Sequence, residues 1–304
     1  MNYDSELSKR TAEIEEILKS LLPKEEAYYN NVIEAMNYSI LAGGKRIRPM
    51  LMMETFRLFG GTDSRILNPF IGAIEMIHTY SLIHDDLPAM DNDEYRRGKK
   101  TTHIVYGEAM AILAGDGLLT YAFETAAGAY DLIDEDSNND IIIYKRITKS
   151  LKVLAKKAGI HGMIGGQVID IESQSRSITK DRLDRMYLLK TGALIEASMM
   201  IGAIMSAAND KELGIIESIA GDIGLAFQIR DDILDVTASD FVLGKPIRSD
   251  EKNDKSTYIS IMELEQAEKE VANVTNRAIK SYTSLPYRND FLETLIKKLM
   301  NREK

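Results

Sequence analysis

Apolar residues recur at helical spacing along almost the whole chain. Leu7, Ile14, Leu18 and Leu21 make one stripe near the start. Leu183, Met186, Tyr187, Leu194 and Ile195 make another, as one face of an amphipathic helix requires. Only six prolines interrupt the pattern, at 23, 49, 69, 88, 246 and 286. Long helices are predicted over 65–87 and 212–236. The one strand-like string, Ile141-Ile142-Ile143, sits beside the helix-compatible Tyr144-Lys145-Arg146. Strands alternating with helices are not visible, so the pattern predicts an all-α fold. A polar loop over 134–140 separates two helical runs, and a second polar stretch covers 237–257. With no repeat at fixed period and no low-complexity linker, residues 1–304 read as a single domain.

Composition narrows the classes. With 304 residues, 44% of them hydrophobic, the chain has ample material for a large core. It has no cysteine, which removes disulfides and thiolate metal sites and fits a reducing, cytoplasmic setting. The N-terminus is polar and amphipathic, without the apolar segment of a signal peptide. No run of eighteen apolar residues suggests a transmembrane segment. The formal charge of −9 argues against a nucleic-acid partner. Four histidines, none paired at i,i+4, make a zinc site an unfavourable reading.

The chemistry concentrates in two acidic clusters, Asp85-Asp86-Leu87-Pro88-Ala89-Met90-Asp91 and Asp231-Asp232-Ile233-Leu234-Asp235. Carboxylates set among apolar residues repel one another and are costly to desolvate, and a hard cation relieves both penalties. Oxygen-only donors suit Mg²⁺ with a phosphate-bearing substrate. Asp231 and Asp235 are four apart and share a helical face. Pro88 has no amide to continue a helix, so the chain is expected to end or bulge there and bring Asp91 back towards Asp85. An EF-hand fails, because Arg96 stands where that loop needs glycine. Basic residues punctuate the same stretches: Lys45 and Arg48 in Gly43–Pro49, then Arg96, Arg97, Lys190, Lys245 and Lys255. A helix starting at 45 would put Lys45 and Arg48 on one face. Cations beside metal-binding carboxylates point to bound diphosphates. Neither Gly44-Lys45 nor Gly244-Lys245 is followed by Ser or Thr, so neither is a P-loop.

The segments GGKRIRP (43–49), IHTYSLIHDDLPAMDNDEYRRGKKTTH (77–103), GEAMAILAGDGLLTYAF (107–123), GMIGGQ (162–167), KTGALI (190–195), FQIRDDILD (227–235), GKP (244–246) and DKSTY (254–258) together resemble the trans-isoprenyl diphosphate synthase family. Within it, the Leu-Pro-Ala-Met expansion followed by Tyr-Arg-Arg-Gly is most similar to the bacterial farnesyl diphosphate synthases. The resemblance implies an all-α bundle of about ten helices around a central deep cavity, usually a homodimer. It implies several Mg²⁺ ions, three with substrate bound, held by Asp85, Asp86, Asp91, Asp231, Asp232 and Asp235. It assigns Arg96, Lys190, Thr191, Gln228, Lys245 and Lys255 to the allylic diphosphate, with Lys190, Thr191 and Gln228 catalytic. Lys45, Arg48, His78 and Arg97 are assigned to isopentenyl diphosphate, and Gln167 is placed facing the site. The implied reaction is head-to-tail condensation of isopentenyl diphosphate with dimethylallyl and geranyl diphosphate to give farnesyl diphosphate. Geranylgeranyl diphosphate synthase is the alternative product class, and a non-catalytic regulatory subunit the alternative of a different kind.

Two further expectations complete the reading. Tyr80 and Ser81 precede Asp85 by five and four residues on one helix, roughly 6–8 Å deeper at ~1.5 Å per residue. An aromatic at 80 is expected to floor the cavity and limit chain length. The stretch 237–257, with Lys245 and Lys255, is expected to act as a lid.

Overall fold

The computed structural model describes residues 2–133, 140–174, 176–237 and 257–301. The chain is helical nearly throughout, as the hydrophobic spacing predicts, and its contacts divide it into two compact units.

The first unit comprises residues 1–53 and 62–151. It holds α1 (Tyr3–Ser20), α2 (Asn30–Ile40), α4 (Asn68–Asp85), α5 (Thr102–Tyr106) and α6 (Glu108–Ala127). Residues of α3 (Ile47–Leu58) and α7 (Asp140–Ala158) contribute to both units. The Ile141–Ile143 string therefore lies in a helix. The core element of the first unit is α4, which packs along α6. Pro69 sits at its N-terminus, where a missing amide costs nothing. From Pro69 to Ile77 every residue of α4 is buried, Glu75 among them, where it pairs with Arg46. The strand content of the described residues is a two-residue hairpin, Tyr95–Arg96 (β1) and Lys99–Lys100 (β2), in antiparallel register Tyr95↔Lys100. Its turn, Arg97-Gly98, takes φ of 53° and 75°, the geometry that suits the twist of a tight hairpin.

The second unit comprises residues 54–61 and 152–304. It holds α8 (Met163–Ser173), α9 (Lys180–Tyr187), α10 (Ala193–Met205), α11 (Asp210–Thr237), α12 (Tyr258–Ile261), α13 (Leu264–Thr283) and α14 (Asp290–Met300). Leu188–Gly192 joins α9 to α10 as a π-helical turn. The long helix α11 packs against α10 and α13. Residues 180–205 form one helical stretch long and apolar enough, by length and composition, to cross a membrane. Of its most apolar window, 72% is buried inside the structure, so it is core here.

Candidate active site

In the first unit the acidic cluster 85–91 lies where α4 stops. The helix ends at Asp85, before Pro88, and the chain curls back. The Asp91 amide donates to the Asp85 carbonyl at 2.9 Å, and the Asn92 amide to the Leu87 carbonyl at 3.1 Å. The return of Asp91 expected from Pro88 is thus present in the backbone. Asp86 is buried and turned to protein: the Arg96 guanidinium meets its Oδ1 at 2.6 Å and Asp93 at 3.3 Å. Burial pushes the Asp86 carboxyl above its ordinary value, against the opposing pull of Arg96.

The basic residues of this unit sort into two kinds. Arg46 is buried and satisfied by Glu15, Glu75 and the Ile40 carbonyl, each at 2.7 Å. It holds α1, α4 and the loop before α3 together. Arg48 has its Nε buried with no hydrogen-bond partner. Burial, with the Arg97 charge and only partial relief from Glu75, pushes the Arg48 guanidinium down to about 10. Arg97 donates to the Gly43 carbonyl. Burial, then the Arg48, Arg97, Arg96 and Arg46 charges, hold His78 well below its usual value. The result is a concentration of positive charge around 43–48, 78 and 96–97, which an anion would stabilise. Lys45 does not share a helical face with Arg48, because α3 begins only at Ile47 and Arg46 takes φ 47°. Tyr80 is buried at 6% exposure, and burial with the Asp85 charge raises its hydroxyl to about 12. Ser81, half-buried, donates to the His78 carbonyl at 2.9 Å.

In the second unit, Asp231, Asp232 and Asp235 lie near the C-terminal end of α11. Asp232 and Asp235 are buried at 3% and 4% exposure. Asp232 Oδ2 accepts from the Tyr187 hydroxyl at 2.6 Å and from the Tyr258 amide at 2.8 Å. The two rings stack with centroids 5.9 Å apart, and the Tyr258 hydroxyl donates to Asp184. Lys190 and Thr191 ride on the π-helical turn, an irregularity often found at functional sites. Thr191 Oγ1 donates to Gln228 Oε1 at 3.0 Å, one turn before Asp231, and Lys190 pairs with Asp170. Gly166 makes this approach possible. A Cβ there would lie 2.1 Å from the Lys190 backbone nitrogen, so α8 meets the π turn backbone to backbone. Gln167 follows on α8. Lys245, Lys255 and all but the ends of the expected lid lie outside the described residues.

The partners that the sequence did not reveal are Asp170, Asp184 and Tyr187. Asp170 stands 20 residues from Lys190, Asp184 stands 74 from Tyr258, and Tyr187 stands 45 from Asp232. Among the described residues, no three Asp, Glu or His side chains are gathered as a metal cage.

The model of the polyprenyl synthetase family matches residues 30–289. The chain belongs to the polyprenyl synthetase family. It is 47% identical over 239 residues to the farnesyl diphosphate synthase of Geobacillus stearothermophilus, covering 79% of this chain and 77% of that one. It is 42% identical over 288 residues to the farnesyl diphosphate synthase of Micrococcus luteus, 95% of each chain. Among solved structures it resembles the geranyltransferase of Helicobacter pylori, complexed with magnesium and isoprenyl diphosphate. That match has a TM-score of 0.83 at 30% identity, over 99% of this chain and 97% of that one. Both aspartate clusters and the basic set described above lie inside the span matched by the family model.

Proposed function

We propose that this chain is a divalent-metal-dependent prenyltransferase, condensing isopentenyl diphosphate with dimethylallyl and then geranyl diphosphate to give farnesyl diphosphate. The observation that carries the reading is the crowding of the Arg48 and Arg97 guanidinium groups beside His78, only partly relieved by Glu75, in a member of a family of polyprenyl synthetases. Lys45, Arg48, His78 and Arg97 bind isopentenyl diphosphate. Arg96, Lys190, Thr191, Gln228, Lys245 and Lys255 bind and orient the allylic diphosphate.

The donor set fits Mg²⁺. It is all carboxylate oxygen, with no sulfur or imidazole, and Mg²⁺ is usually held by one or two carboxylates plus waters and substrate phosphates. Asp85, Asp91, Asp231 and Asp235 provide the ligands. Asp86 and Asp232 complete the set, and their carboxylates also accept from Arg96 and from Tyr187 and Tyr258. When bound, the metal neutralises charge that develops on the departing diphosphate. Lys190 and Arg96 add fixed positive charge to the same group, and Thr191 and Gln228 fix its orientation. Apolar side chains deeper along α4 exclude water from the allylic cation. The cationic cradle holds the isopentenyl alkene for attack, and the released diphosphate accepts the final proton. Tyr80, buried five residues before Asp85, limits the product to fifteen carbons.

A homodimer in the cytoplasm completes the proposal. It is supported by exposed apolar residues on packed α5 and α6: Ile104, Val105, Ile112 and Leu113, 41% to 54% exposed. The composition, free of cysteine, favours the compartment. The test is product-length chromatography from dimethylallyl and labelled isopentenyl diphosphate with Mg²⁺, with and without EDTA. Farnesyl diphosphate that disappears with EDTA is the expected outcome. No incorporation by the protein alone would instead support a non-catalytic subunit, and a twenty-carbon product the geranylgeranyl alternative.

A further inference from the structure

Tyr80 does not stand alone on α4. His84 lies four residues on, on the same face of the helix, and the two rings meet edge to face with centroids 5.8 Å apart at 83°. The imidazole is in turn fixed from α6. Its Nε2 lies 3.2 Å from the Ile112 carbonyl, to which it donates, and 3.8 Å from Asp116 Oδ1. Behind it is Gly115, which is buried. A Cβ on Gly115 would fall 2.1 Å from Nε2 and 2.4 Å from Cδ2 of His84. The imidazole therefore occupies the space that any other residue at 115 would fill. Tyr80 has 6% exposure, and its ring rests against an imidazole flanked by the Ile112 carbonyl and the α6 backbone at Gly115.

We propose that His84 and Gly115 are specificity-determining positioning residues: α6 buttresses His84, His84 buttresses the Tyr80 ring, and the stack sets the length at which the growing prenyl chain is stopped. The proposal rests on the reading of Tyr80 as the floor of the prenyl site. Neither His84 nor Gly115 belongs to the diphosphate-binding or metal-binding set. Their substitution should therefore alter the product rather than the first condensation.

The experiment compares product spectra of the full-length protein and its variants, with excess isopentenyl diphosphate. In His84→Ala the Tyr80 ring gains the vacated space, and the ratio of twenty- to fifteen-carbon product is expected to rise about tenfold while the rate of geranyl diphosphate formation holds. In the Tyr80→Ala background the same change should add nothing, because the residue it acts through is gone. Gly115→Ala should lengthen the product as well, by displacing the imidazole. Should that variant not fold, His84→Ala/Gly115→Ala makes room for the methyl and should match His84→Ala. Should His84→Ala itself not fold, His84→Gln keeps a donor for Ile112 and removes the ring edge, and is read in its place. Unchanged product length in His84→Ala, while Tyr80→Ala lengthens it, overturns this inference alone. An equal further lengthening by His84→Ala in the Tyr80→Ala background also overturns it. Unchanged products in Tyr80→Ala overturn both this inference and the floor.

Discussion

The Tyr187 hydroxyl and Asp232 are joined by a 2.6 Å hydrogen bond, and the Tyr258 amide shares the same carboxylate oxygen. A buried carboxylate in the middle of an acidic cluster thus serves as an acceptor for protein donors from two other helices. Removing it takes a shared acceptor from two buried donors, and such a loss costs ~1–3 kcal/mol per donor. Asp232→Ala is expected to lower unfolding free energy by about 2–4 kcal/mol, and Asp232→Asn, which keeps a carbonyl oxygen, by less. Urea denaturation at fixed pH measures both. A stability for Asp232→Ala equal to the parent's would refute the anchoring role.

Asp231→Ala should behave in the opposite sense. It is proposed as a metal ligand, so its loss falls on transition-state charge stabilisation, with kcat reduced about 10²- to 10³-fold. Steady-state kinetics across a Mg²⁺ titration distinguishes the two aspartates.

Arg48→Gln removes a charge that burial already disfavours. Loss of a charge-assisted contact to diphosphate should raise KM for isopentenyl diphosphate on the order of tenfold or more, with a smaller effect on KM for the allylic substrate. If both KM values rise equally, Arg48 is not specific to the isopentenyl site.

His78 carries a pH signature. Burial and four nearby guanidinium groups hold it well below 6.5, so the folded ring stays neutral at pH values where an unfolded histidine takes a proton. The unfolded chain then binds the additional proton, and stability drops as pH falls from 6.5 towards the folded value. His78→Gln removes that contribution. Between about pH 7 and pH 5 the variant should lose roughly 1–2 kcal/mol less unfolding free energy than the parent. Parallel stability curves over that interval would count against a depressed His78.

Gly166→Ala tests the close approach of α8 to the π turn. The added methyl would meet the Lys190 backbone, and overpacking of this kind costs about 1–3 kcal/mol. Because Lys190 moves with that backbone, kcat should fall as well. Activity unchanged alongside a lower melting temperature would place Lys190 outside the reaction.

Much of this was legible in the sequence, for identifiable reasons. Helical spacing of apolar residues is a local signal, and it located α4 and α11 to within three residues at each end. Pro88 acts locally too, and the Asp91-to-Asp85 return followed from its missing amide. The family motifs identified and divided the basic set but gave no sign that Arg46, inside one of them, is structural. Arg46, between Lys45 and Arg48, is buried against Glu15 and Glu75, residues about thirty positions away on either side. The π turn at 188–192, the Tyr187–Asp232–Tyr258 junction and the His84–Gly115 contact all depend on which helices pack together. Spacing along one helix carries no record of that.

The π-helical turn at Leu188–Gly192 makes residue count matter more than residue type in this stretch. One surplus residue is looped into an otherwise continuous helix, which turns α10 about 100° relative to α9 from an unbroken α-helical register. Deleting a single residue there would let the helix run on without a flaw. It would also rotate the buried face of α10 away from α11, or Tyr187 away from Asp232, so a change that improves local regularity would uncouple the two halves of the helix from their partners.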